Sequence, residues 1–179
     1  VKRSRTRRLM TDLRGLLSWA CAGLIAGGIA LSPAPLLAEN LCRVDEVIVT
    51  SPDAAEADVV RFSVEIADDA EERALGLMNR PEMARSHGML FVYEKPQPVA
   101  FWMANTLIPL DMIFVDQRGV VTRVHEEAVP LDRTALPGGD AVFAVLEING
   151  GLAKALDIRP GDVLRHPAFG NDAADPCFK

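Results

Sequence analysis

The stretch FWMANTLIPLDMIFVD, residues 101–116, is apolar enough for a core and yet holds Asn105, Thr106 and Asp111 inside it. Its two flanks read as strands. In LDMIFV, Leu110, Met112 and Phe114 take one face and Asp111, Ile113 and Val115 the other, the pattern of a strand with apolar neighbours on both sides. Asn105 and Thr106 fall between the flanks, where an Asx or ST turn satisfies backbone donors. An aspartate that opens such a strand needs a rim position, a cation or hydrogen-bond donors, because an isolated buried carboxylate is too costly.

The segments on either side support a β-rich fold. VDEVIVT (44–50) reads as a short strand and SPDAAEAD (51–58) as an acidic loop, while VVRFSVEIA (59–67) alternates cleanly, as a half-buried antiparallel strand does. The period then changes. Asp68 stands as an N-cap with Glu71 three residues on, and Ala70, Ala74, Leu75 and Leu77 form an apolar stripe that Gly76 and Asn79-Arg80-Pro81 terminate, which predicts a short helix. GMLFVYE (88–94) is a strand, KPQP (95–98) a turn and VAFWM (99–103) a further strand. Asp116-Gln117-Arg118-Gly119 predicts a hairpin into VVTRVHE, PLDRTALPGGD (130–140) a loop, AVFAVLEI (141–148) a strand, GGLAKALDI (150–158) a helix and VLRH a last strand. The fold class expected is mainly β (α+β), a compact small barrel or sandwich of about seven to eight strands with two short helices.

The first residues are of another kind. Residues 1–14 carry six basic side chains against Asp12, residues 15–31 carry no charge, and SPAPLLAEN follows with a small residue, Ala38, before a polar pair. That is the layout of a secretory signal peptide over 1–38, with an uncleaved membrane anchor at 15–31 as the alternative. Thr6-Arg7-Arg8-Leu9-Met10 is a loose twin-arginine pattern. The expected organisation is a signal peptide over 1–38, an N-terminal strand and acidic loop over 39–58, a β-rich domain over 59–166 and a tail over 167–179. The location expected is exported and periplasmic.

Without residues 1–38 the chain holds 13 basic and 24 acidic residues, a formal charge of −11. Nucleic acid and anionic lipid both select the opposite sign, so no nucleic-acid partner is expected, and membrane contact only through an uncleaved signal segment. Of three cysteines, Cys42 and Cys177 stand near the two ends of the remainder, and an even pair in an oxidising compartment reads as a disulfide.

Motifs for the common enzyme classes are missing. The chain has no G-x-G-x-x-G, no Walker loop and no G-x-S-x-G, and His125-Glu126 lacks the second histidine of a zinc helix. No cofactor is expected. Met83, His87 and Met89 offer soft-metal donors, but methionine at such positions is more often core filler, and no metal is assigned. Glu147, like Asp111, sits among apolar strand residues, on the face of Phe143 and Val145. Arg73 and Arg80 are the expected counter-charges, in structural ion pairs or at the edge of a pocket. The pocket reading gathers Arg73, Met78, Arg80, Trp102, Met103, Asn105, Thr106, Asp111 and Glu147.

EERALGLMNR (71–80), HGMLFVYEKPQPVAFWMANTLIPLDMIFVD (87–116), VLEINGG (145–151) and Gly161-Asp162 together resemble the domain of unknown function 192 family. The resemblance covers about residues 60–166. It implies a single compact β-rich domain with short helices and no established activity, and it supplies no catalytic residues. A polar cluster set in apolar strands, with no recognisable nucleophile or metal constellation, makes the binding of a small molecule or a cell-envelope partner the function expected. A hydrolase or lyase working through an Asp111/Glu147 carboxylate pair, and a structural or chaperone-like envelope accessory, are the alternatives.

Overall fold

The computed structural model describes residues 42–52 and 59–177. The signal-peptide reading, and most of the acidic loop, lie outside the described residues. Within them seven strands form one sheet: β1 (Glu46–Thr50), β2 (Val60–Ala67), β3 (His87–Phe101), β4 (Leu110–Val115), β5 (Val121–Ala128), β6 (Leu136–Asn149) and β7 (Val163–Arg165), with helices α1 (Ala70–Leu75) and α2 (Leu152–Ala155). The order across the sheet is β5-β4-β6-β3-β2-β1-β7. All pairs are antiparallel except β2 with β3, whose connection runs through α1. β2 is thus antiparallel on one edge only.

The sheet curls into a half-barrel. The turn of the β4–β5 hairpin reaches the opposite edge, where Leu164 N donates to Gly119 O and Val121 N to Asp162 O, each at 2.8 Å. Two apolar clusters fill its two faces. One joins Val47, Phe62, Leu90, Ile113, Leu146 and Leu164, and the other joins Leu77, Phe91, Met103, Leu110, Met112 and Phe114. β4 lies between them with every residue buried, as its two apolar sets require.

Three elements depart from the sequence-based expectation. The segments at 88–94 and 99–103, with the expected turn between them, form one strand: Val92 pairs with Ala144 and Gln97 with Val142, so β3 carries three extra residues there. Pro96 and Pro98 offer no N–H to the ladder, and a bulge accommodates them without ending the strand. β3 stops at Phe101, so Trp102 and Met103 lie beyond it rather than on its faces.

β6 starts five residues earlier than expected and inserts between β3 and β4. Its Gly138 lies on the Phe114 ring, where an added Cβ would come within 2.0 Å of ring carbon Cδ1. Only glycine lets the strand approach so closely.

The cap of α1 is shifted by one residue. Asp69 accepts from Glu72 N at 2.8 Å while the Glu72 side chain accepts from Asp68 N at 3.2 Å, and no residue of the helix proper is buried. Leu77, just past the Gly76 cap, is the anchor that enters the core.

At the far ends of the domain, Cys42 and Cys177 are bonded, with Cα atoms 5.3 Å apart, as the cysteine count predicts. His166 helps to fix the C-terminal segment. Its Nε2 bonds Val44 O at 2.9 Å and its Nδ1 accepts from Ala168 N, and burial lowers its pKa, favouring the neutral ring this pattern uses.

Candidate functional site

The register between β4 and β6 determines what the buried carboxyls of these two strands, Asp111 and Glu147, can do. Asp111 pairs with Ile148 and Met112 pairs with Glu147. Residues directly opposite each other share a face, and neighbours along a strand alternate, so Asp111 and Glu147 point to opposite sides of the sheet. The carboxylate pair expected for a hydrolase or lyase is therefore not assembled.

Asp111 is fully buried and meets no arginine among the described residues. Its Oδ1 accepts from Glu127 N at 2.7 Å and Gly151 N at 2.9 Å, and its Oδ2 from Ala153 N at 2.7 Å. Each of these amides needs a partner from elsewhere. Glu127 has φ 50° beside a register shift in the β4–β5 ladder, and α2 has no side-chain cap of its own because glycine stands at its N-cap. Asp111 thus fastens a bulge and a helix start to β4. It belongs to the scaffold, which corrects its expected place in the pocket.

Glu147 is the opposite case. It is 4% exposed, lies on the face of Val145 and Met112, and has no hydrogen-bond or ion-pair partner among the described residues. Burial alone pushes its carboxyl up to about 8, which keeps it mainly protonated at neutral pH.

It lines a pocket of about 200 Å³. Phe91 and Tyr93 of β3 form one wall with Phe101, whose ring meets Phe91 edge-on at 4.9 Å, and Leu77, Met78 and Thr106 are also in the lining. Trp102, 56% exposed, stands at the margin with Leu75. Arg73 is the cation of the lining, but its charge is committed. One guanidinium nitrogen donates to Val92 O at 2.8 Å, the other meets Glu94 at 3.2 Å, and the group lies 5.1 Å from the Tyr93 ring centroid.

The structure brings together Arg73, Met78, Trp102, Thr106 and Glu147 from the expected set. Arg80 is elsewhere: it forks onto Glu65, with His87 on the same carboxylate at 3.0 Å, and these partners hold Glu65 down at about 2. Met103 is core, 1% exposed. Asn105 occupies a left-handed turn at φ 57°, as a turn residue should, and its carbonyl accepts from Asn79 N at 2.8 Å. It steadies the loop after α1 without lining the pocket.

Sequence reasoning missed Phe91, Tyr93 and Phe101. Phe91 and Tyr93 share a face with Met89 by simple alternation, and Tyr93 is the one tyrosine in the chain. That face is tied to Glu147 only by the pairing of Met89 with Glu147 across β3 and β6.

Glu147→Gln tests the state of this carboxyl. A folded pKa raised above the ordinary value means that ionisation opposes folding, with no penalty below about pH 4.5 and the full penalty above about pH 8. Glutamine keeps the neutral shape. The variant is expected to match wild type at pH 4 and to unfold several degrees higher at pH 9, a gain of about 2–4 kcal/mol given some solvent access. Equal melting curves at pH 9 would contradict the buried, unpaired carboxyl.

The fold and pocket define a class: a half-barrel β domain with an aromatic-walled pocket that contains a lone carboxyl. The chain belongs to the domain of unknown function 192 family, described as Uncharacterized ACR, whose model matches residues 52–166. Among solved structures it is similar to a protein of Sinorhizobium meliloti named as a candidate transcription regulator, at 36% identity and a TM-score of 0.66, over 72% of this chain and 97% of that one. It is also similar to a protein of unknown function from Novosphingobium aromaticivorans, at 40% identity and a TM-score of 0.63, over 80% of this chain and 99% of that one. No curated protein matches.

Proposed function

We propose that this is an exported domain that binds a small molecule in the pocket containing Glu147. One observation carries the binding reading: a carboxyl more than nine-tenths buried, without a partner among the described residues, lines an open pocket with aromatic walls. A methionine or leucine at that position would remove the cost of burying the acid, so the acid has a use other than stability. The pocket is concave and combines aromatic walls with a few polar groups, Arg73, Thr106 and Glu147, as small-ligand sites do. The export reading rests on the signal-like residues 1–38 and is supported by the Cys42–Cys177 bond, which persists in oxidising compartments.

A thermal-shift screen of the disulfide-intact chain against envelope metabolites tests the binding. At least one compound is expected to raise Tm in wild type and to lose most of that effect in both Trp102→Ala and Glu147→Gln. Hits indifferent to both substitutions would place binding away from this pocket and end the proposal.

A further inference from the structure

We infer that the pocket takes the ammonium head of a small organic cation, which supplies the counter-charge that Glu147 lacks. This deepens the binding reading and rests on it. Four aromatic side chains, Phe91, Tyr93, Phe101 and Trp102, line the same pocket as the carboxyl, and aromatic faces attract cations through the ring quadrupole. Around such an ammonium the rings would contribute the apolar walls and Glu147 the charge.

Competing charges do not answer Glu147. Arg73 lines the same space, yet its guanidinium is engaged by Glu94 and Val92 O, and burial is the single cause of the shift in Glu147. On neighbouring strands Met112 and Met89 stand opposite Glu147, and neither titrates. Among the described residues the remaining titratable neighbours are Tyr93, whose hydroxyl burial pushes up, and Glu94 beside it. An anionic ligand would meet an acid on ionisation, and a neutral ligand would leave the ionised acid unpaired. A cation instead stabilises the ionised form, so its binding displaces the carboxyl proton to solvent. Affinity therefore rises from pH 6 to pH 9 as ionisation becomes easier.

Three probes sharing one apolar body isolate the charge: tert-butylammonium, tert-butanol and trimethylacetate. Each is titrated into the disulfide-intact chain, with backbone amide shifts of the pocket residues as readout. The ammonium is expected to bind about ten-fold or more tightly than the alcohol at pH 9, and to weaken about ten-fold or more at pH 6. Glu147→Gln, which keeps the neutral shape, should remove most of the ammonium's advantage over the alcohol and its dependence on pH, while Trp102→Ala should weaken the ammonium. If the alcohol or the carboxylate binds at the pocket as well as the ammonium, the charge inference fails and the pocket remains a binding site. If none of the three moves the pocket amides, the ammonium inference also fails, and the metabolite screen alone judges the binding reading.

Discussion

Asp111→Ala is expected to destabilise the domain by about 3–5 kcal/mol, a large part of the 5–15 kcal/mol typical of a domain of this kind. The loss comes from the donors. Glu127 N, Gly151 N and Ala153 N all point at the removed oxygens, and each unsatisfied buried amide costs about 1–3 kcal/mol before water enters to relieve part of it. Asp111→Asn should fall between, since one amide oxygen can keep the two bonds now made by Oδ1 while the amide nitrogen opposes Ala153 N. Urea unfolding at pH 7 measures both variants, and hydrogen exchange at residues 127, 151 and 153 shows whether the loss is local. A cost below about 1 kcal/mol for the alanine variant would mean that the three bonds do not hold these elements.

The second large effect is expected from the disulfide. The Cys42–Cys177 bond spans a sequence separation of 135, and in the chain-entropy model a loop of that size restricts the unfolded chain by about 4–5 kcal/mol. Its position suits the fold. Cys42 lies just before β1 and Cys177 beyond β7, and these two strands pair along only three residues at the edge of the sheet. The Cys42→Ala/Cys177→Ala double variant should lose most of that stability in urea unfolding, with β1 and β7 amides exchanging first. A double variant as stable as the oxidised chain would show that the β1–β7 edge holds without the bridge. Ellman's reagent on unfolded, unreduced protein gives an independent check, because neither Cys42 nor Cys177 should react.

The buried carboxyls of β4 and β6, Asp111 and Glu147, have opposite roles for reasons of geometry. Asp111 is surrounded by amides that a bulge and a glycine-capped helix leave without local partners, and removing it should harm the fold. Glu147 is buried with no partner among the described residues, and neutralising it with glutamine should help the fold at high pH. A carboxyl whose ionisation weakens the domain, in a pocket, is the stronger functional candidate of the two.

Local periodicity by itself determined much of this protein. The alternation in VRFSVEIA, the two interleaved apolar sets of LDMIFV, the short helix after Ala67 and the turn at Asn105 are all legible, because each depends on residues within a few positions. The cysteine pair was legible from count and placement. Of the candidate site, Trp102, Thr106 and Glu147 are legible as polar or unusual residues within apolar runs, Arg73 as a counter-charge on the first helix and Met78 through the family motif that contains it.

What the sequence could not decide was which strand lies beside which, and in what register. Period-two alternation assigns a residue to one of two faces of its own strand, but only the pairing of Met112 with Glu147 puts Asp111 and Glu147 on opposite sides. The same pairing, with Met89 against Glu147, brings the Phe91 and Tyr93 face to the acid. Tertiary structure decided the site because register is set by contacts between distant segments, and a slip of one residue would exchange the faces.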